Sequence, residues 1–241
     1  MSEEQMTVPY KPEKNWSEIK GENSWTMFKV IAEFVEGFER MNKIRPCVSI
    51  FGSARTKPGT KYYELAVRVG ERLVHEGYGV ITGGGPGIME AGNKGAHIAK
   101  GTSVGLNIEL PFEQSHNEFI DIDKNLNYNY FFIRKVMFVK YAQAFVTLPG
   151  GFGTMDELFE VLTLIQTGKI DKVPVVLVGK EFWSGMVDWI KETMLATHRN
   201  VSEKDLDLFL VTDDLDEVAD YINNFYAVGS DSELRPNYRM E

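Results

Sequence analysis

The sequence predicts an α/β fold of Rossmann type: one domain with a doubly wound parallel sheet and helices on both faces. Three observations predict it. Short apolar runs alternate with helical segments from Cys47 to Phe225, the pattern of strands joined through covering helices. Two of those runs end in glycine loops that open helices, Val80-Ile-Thr-Gly-Gly-Gly-Pro-Gly-Ile-Met-Glu90 and Val146-Thr-Leu-Pro-Gly-Gly-Phe-Gly-Thr-Met-Asp-Glu157. At 241 residues, 43% hydrophobic and 12% aromatic, the chain can bury one sizeable core, which fits a single domain with terminal extensions.

Residues 1–23 mix charges, contain Pro9 and Pro12 and show no sustained period, so a loosely ordered arm is expected. Over 24–43, Trp25, Phe28, Ile31, Ala32, Val35 and Phe38 fall on a helical stripe. Such a helix either covers the core or packs on a partner subunit. The main domain, 44–226, carries strands at Val48–Phe51, Gly79–Thr82, Ser103–Ile108, Ala144–Leu148 and Val173–Val178. Helices are expected at Lys61–Glu76, Pro86–Ala99, Tyr130–Tyr141, Thr154–Gln166, Trp183–Leu195 and Leu215–Phe225, and 227–241 form a tail. In such sheets ligands bind beyond the carboxyl ends of the strands, so Gly52-Ser53, Gly83–Gly87 and Pro149–Gly153 are expected at one rim.

Composition removes several classes of function. A net charge of −9 opposes attraction to DNA, RNA or an anionic membrane. A single cysteine, Cys47, excludes an internal disulfide and gives no hint of a thiolate metal site, and His75, His97, His116 and His198 are scattered rather than spaced as ligands. Met1-Ser-Glu-Glu-Gln lacks the basic and apolar regions of a leader, and no apolar run approaches the ~18 residues of a membrane span. A cytoplasmic protein is expected. The glycine loops match neither G-x-G-x-x-G nor G-x-x-x-x-G-K-[ST], which counts against dinucleotide and P-loop chemistry.

What remains is anion binding. A helix start exposes unpaired N–H groups and the positive end of its dipole, and glycines let a phosphate approach the backbone. Gly52, Ser53, Gly84, Gly85, Gly150, Gly151, Phe152, Gly153 and Thr154 are candidate contacts. Thr154 and Glu157 also have the spacing of a capping box, a structural role that would account for Glu157. A carboxylate at an anion cradle nevertheless carries an electrostatic cost, which invites a functional role. Arg134-Lys135 sits in the helix before the second loop. Such a pair is either a solvated face or, with Arg supplying a two-pronged contact, an anion clamp.

Taken together, Gly83-Gly84-Gly85-Pro86-Gly87-Ile88-Met89, Arg134-Lys135 and the complete P-G-G-x-G-T-x-x-E run Pro149–Glu157 resemble the LONELY GUY family, nucleotide phosphoribohydrolases often labelled lysine decarboxylases. The likeness covers Pro46 to Phe225 and includes Gly52-Ser53, where the family has a Gly-Ser turn. It implies hydrolysis of the N-glycosidic bond of a purine nucleoside 5′-monophosphate, AMP or an N6-modified AMP such as a cytokinin nucleotide, without metal or cofactor. It implies that Arg134 and Glu157 are catalytic and that Lys135, Gly151–Thr154 and Thr163 contact substrate. An acidic contact falls among Glu109, Glu113 and Glu118. It also implies a homodimer or higher homo-oligomer. Arg134 is expected to position the substrate and to hold Glu157 ionised. Decarboxylation would need a Schiff-base lysine, and no lysine stands in a context that recommends it. A mononucleotide sensor of the same fold, without turnover, is the alternative.

Overall fold

A computed structural model of the chain describes residues 16–110, 116–227 and 232–237, and the side chains from Trp25 onward. Most of the expected arm, Glu113 and much of the tail lie outside the described residues. Seven strands form one parallel sheet in the order β4-β3-β2-β1-β5-β6-β7: β1 (Cys47–Phe51), β2 (Gly79–Thr82), β3 (Ser103–Ile108), β4 (Asn125–Tyr128), β5 (Ala142–Thr147), β6 (Val175–Val178) and β7 (Leu210–Thr212). Strand order reverses between β1 and β5, which pair from Val48↔Ala144 to Phe51↔Thr147. That reversal opens the crevice where ligands of open α/β sheets bind.

The central strands are legible because they are buried on both faces and so read as continuous apolar runs. The two edge strands were not expected. In β4, Asn125 and Asn127 alternate with the buried Leu126 and Tyr128, and β7 has only three residues, so neither produces an apolar run. Two cores result, one on each side of the sheet. Helices α2 (Lys61–His75), α3 (Ile88–Ile98) and α7 (Leu215–Phe225) bury Leu65, Val69, Leu73, Ile88 and Ile222 against one face. On the other lie α1 (Trp16–Met41), α4 (Phe131–Tyr141), α5 (Phe152–Gln166) and α6 (Lys180–Trp189), which contribute Met41, Phe138, Leu158 and Trp183. After Trp189 the chain continues as a π-helix over Ile190–Thr197, covering the end of the helix expected at Trp183–Leu195.

The first helix departs from expectation. It begins at Trp16, inside the expected arm, and its inner face is Val30, Phe34, Phe38 and Met41, packed against α4 and the core. Most of the expected stripe points the other way. Trp25 is 74% exposed, Phe28 66%, Ile31 53% and Val35 52%. Periodicity detects apolar residues on a helix, but here two faces are apolar and only contact with α4 selects the inner one. Polar anchors fix the choice: Arg40 Nη2 donates to the carbonyls of Asp123 (3.1 Å) and Asn125 (2.9 Å), and Glu33 accepts from Asn129 Nδ2 at 2.6 Å.

Candidate active site

Three loops meet at the carboxyl ends of the strands. The Leu148 N–H donates to Phe51 O (2.8 Å), Ser53 N to Pro149 O (3.0 Å), and Ile88 N to Ser53 O (3.0 Å). The turn after β1 is thus tied to both glycine loops. Gly52 is packed against Ile88, where a Cβ would lie 2.5 Å from Cγ2. In the loop after β2, Gly84 has φ +73° and faces Asn107 Oδ1 where a Cβ would stand, while its N–H donates to Thr82 Oγ1 at 3.0 Å. A Cβ on Gly83 would lie 2.7 Å from Met89 Sδ and 3.0 Å from Arg134 Nη2. This last contact brings Arg134 to the first glycine loop, and Gly83 was not among the candidates read from the sequence.

Arg134 lies near the start of α4, its guanidinium carbon 5.9 Å from the Phe131 ring centre and 5.3 Å from that of Phe138. Its Nε is buried and has no hydrogen-bond partner among the described residues. Burial pulls the guanidinium below its usual value, with Glu157 opposing the shift. The side chain as a whole is half-buried, and a guanidinium donor left without a partner invites an anion.

Glu157 lies on α5 and is 7% exposed. Burial pushes its carboxyl up to about 7, against the attraction of Arg134 and Lys135 and with repulsion from Glu160 and Asp156. The expectation that Arg134 would hold Glu157 ionised is therefore corrected. The arginine acts in that direction, but no ion pair within 4.0 Å joins the two, and loss of solvent outweighs the remaining attraction. A carboxyl poised near neutrality can hold or accept a proton at working pH.

The capping box expected between Thr154 and Glu157 does not form. Helix α5 starts two residues earlier, with Gly151 as N-cap and Met155 N donating to Gly151 O at 3.0 Å. Glu157 is therefore free of that structural duty. Thr154 is buried beneath Gly150, where a Cβ would run into its Oγ1. Gly151 and Gly153 face open space, and Phe152 is 96% exposed. Gly85 belongs to the buried part of the first loop.

Lys135 neighbours the site but its ammonium is engaged by α5, 2.8 Å from Asp156 and 2.7 Å from Glu160. Burial alone would lower it; those two carboxylates outweigh burial and raise it. Thr163 is exposed and donates through Oγ1 to Phe159 O at 2.6 Å, in a shallow groove lined also by Phe152, Met155 and Leu164. Glu109 and Glu118 are both exposed, and Glu113 lies outside the described residues. Among the described residues no cluster of three or more His, Cys, Asp or Glu could hold a metal, and no helix is long and apolar enough to cross a membrane.

Fold and site define a Rossmann-type protein whose strand-end rim carries two glycine loops, a half-buried arginine with an unpaired Nε and a carboxyl poised near neutrality. The family model described as possible lysine decarboxylase matches residues 89–222, and the chain belongs to that family, the LONELY GUY family that its motifs resemble. It is similar to the cytokinin riboside 5′-monophosphate phosphoribohydrolase of Mycobacterium marinum, 34% identical over 157 residues, 64% of this chain and 81% of the relative. It is also similar to the cytokinin riboside 5′-monophosphate phosphoribohydrolase LOG of Oryza sativa, 32% identical over 144 residues, 58% of this chain and 57% of the relative. The chain thus spans little more than half of the rice protein. Among solved structures, the molybdenum cofactor binding protein of Rippkaea orientalis superimposes with a TM-score of 0.56 at 18% identity, covering 77% of this chain and 99% of that one, a likeness of fold.

Proposed function

We propose that this protein hydrolyses the N-glycosidic bond of a purine nucleoside 5′-monophosphate, AMP or an N6-modified AMP, releasing free base and ribose 5-phosphate. The observation that carries the proposal is the placement of Arg134, half-buried with its Nε unpaired and its Nη2 against Gly83, within electrostatic reach of Glu157, whose carboxyl burial raises to about 7. The names of the relatives support it. Departure of the base builds positive charge at C1′ of the ribose, and a carboxylate at Glu157 stabilises that charge and orients the attacking water. A pKa near neutrality lets the same group accept the water's proton. Arg134 holds the phosphate or the ribose hydroxyls. The open backbone at Gly151 and Gly153, at the start of α5, anchors the 5′-phosphate together with Gly52, Ser53, Gly84 and Gly85, converting remote binding into orientation at C1′. Phe152, Thr154 and Thr163 complete the contacts. Lys135 acts by holding Asp156 and Glu160 away from the phosphate.

The test is incubation of the purified protein with AMP, isopentenyladenosine monophosphate and adenosine, with free base followed by chromatography. Base is expected from the monophosphates and little from adenosine. Release of base at the same rate from Glu157→Gln would sink the assignment.

The same proposal places the protein in the cytoplasm as a homo-oligomer. The outward apolar face of α1, Trp25, Phe28, Ile31 and Val35, is the contact offered to a second copy. Ile31→Glu, a substitution outside the core, is expected to lower the mass seen by light scattering without changing the far-ultraviolet spectrum. An unchanged mass would remove this face from the interface.

A further inference from the structure

A buried, uncharged polar network lies beneath the first glycine loop, and nothing in the proposed chemistry uses it. Thr82, Asn93 and Ser103 are fully buried and Asn117 is 7% exposed. Asn93 Nδ2 donates to Ser103 Oγ (2.9 Å) and Val104 O (3.2 Å), and Asn93 Oδ1 accepts from Thr82 Oγ1 (2.5 Å) and Asn117 Nδ2 (3.0 Å). The side chain of Asn117 then reaches the loop itself. Its Nδ2 donates to Gly84 O (3.1 Å) and Gly85 O (3.2 Å), its backbone N–H donates to Gly84 O (2.9 Å), and its Oδ1 accepts from Phe119 N (3.2 Å).

The consequence for the loop follows from peptide planarity. No peptide bond in the described residues is cis, and in a trans peptide the C=O and N–H point in opposite directions. With Gly84 O drawn down onto Asn117, the Gly85 N–H must face the other way. Pro86, next in sequence, has no N–H, so Gly85 is the donor that this orientation controls. A glycine-rich turn has many backbone conformations open to it, and the orientation therefore needs an external constraint. The carboxamide of Asn117 supplies it, and Asn93 fixes that carboxamide from below.

We propose that Asn117 is a positioning residue for the 5′-phosphate: it clamps the Gly84 and Gly85 carbonyls so that the Gly85 N–H is presented to the phosphate before substrate arrives. The proposal rests on the monophosphate chemistry above. It assigns a role to a neutral residue that touches neither the sugar nor the base, and separates it from Arg134 and Glu157, which face the reacting atoms.

The experiment compares the native protein with Asn117→Ala and Asn117→Ser, the latter keeping one donor. Rates with AMP and adenosine are measured, and unfolding temperatures with and without ribose 5-phosphate. For Asn117→Ala, kcat/KM for AMP is expected to fall about 10- to 100-fold while the adenosine rate stays unchanged, and the thermal shift given by ribose 5-phosphate should disappear. Asn117→Ser should fall between. If AMP and adenosine rates decline together, or if ribose 5-phosphate protects the alanine variant as well as the native protein, the clamp is overturned and Asn117 only supports the fold. Should Asn117→Ala not fold, the serine variant carries the same comparison. Absence of AMP cleavage by the native protein would instead overturn the underlying reaction, and the ribose 5-phosphate shift would still decide whether Asn117 organises an anion site.

Discussion

The two glycine loops read alike in sequence, strand to glycines to helix, yet the structure uses their glycines differently. In the loop after β2 the glycines answer to the protein. Gly83 leaves room for Met89 and Arg134, Gly84 takes φ +73° against Asn107, and Gly87 takes φ +73° against the Ser53 carbonyl. In the loop after β5, Gly150 leaves room for Thr154, but Gly151 and Gly153 have no neighbour where a Cβ would point. A missing side chain next to open space makes no packing contact, and in the proposed function its value is the access it gives a phosphate to the start of α5. In the first loop the glycines are set by close packing within the protein; in the second, Gly151 and Gly153 leave the start of α5 open to solvent.

That contrast is open to attack at several points, beginning with the group expected to matter most. Glu157→Gln should lower kcat by at least about 100-fold while the fold is retained. The same variant tests burial. Because the folded carboxyl sits at about 7 against 4.5 for an ordinary glutamate, the folded protein holds a proton that the unfolded chain releases, and stability declines as pH rises through that window. Glu157→Gln lacks the penalty and should be more stable than the native protein by about 3 kcal/mol at pH 8, with no advantage at pH 4, measured by denaturant titration. Equal stability at pH 8 would mean that solvent reaches the carboxylate.

Next come the glycines themselves. Gly84→Ala places a side chain at positive φ against Asn107 and should cost about 2 to 4 kcal/mol of stability. Gly153→Ala, in the first turn of α5 with open space around it, should hold or raise the unfolding temperature while reducing AMP turnover about tenfold. Loss of stability in both, or in neither, would erase the distinction. A smaller effect is expected in the pH profile. In the proposed reaction the ionised carboxylate is the active form, so kcat/KM should rise with pH and level off above an inflection near 7. Arg134→Gln should move that inflection upward, since Arg134 opposes the effect of burial. An inflection that stays in place would show that the two groups are not coupled.

Much of this was legible in order. Central strands, the helices that follow them and the meeting of Gly52-Ser53 with both glycine loops could be read because burial on both faces leaves long apolar runs and because open parallel sheets gather their loops at one end. Two edge strands escaped: Asn125-Leu126-Asn127-Tyr128 alternates and Leu210–Thr212 is too short to show a period. The start of α5 was misplaced because a threonine three residues before a glutamate satisfies the capping pattern wherever it stands, whereas the helix in fact begins at the first residue after Gly151. Asn117 had no signal at all, since an isolated asparagine in a polar stretch resembles any loop residue until the sheet brings it under Gly84.

The sequence by itself determined the order of the central strands and the helices that follow them, the family likeness carried by Arg134, Lys135 and Pro149–Glu157, and the candidates for chemistry. These depend on residue type and spacing along the chain, and both are written in it. Tertiary structure alone decided which apolar face of α1 is buried, that Gly83 lies against Arg134, that Asn117 reaches the first loop, and that burial rather than a neighbouring cation sets the protonation of Glu157. Each of those depends on distance and solvent exclusion between segments remote in sequence, and such quantities exist only once the chain has closed around them.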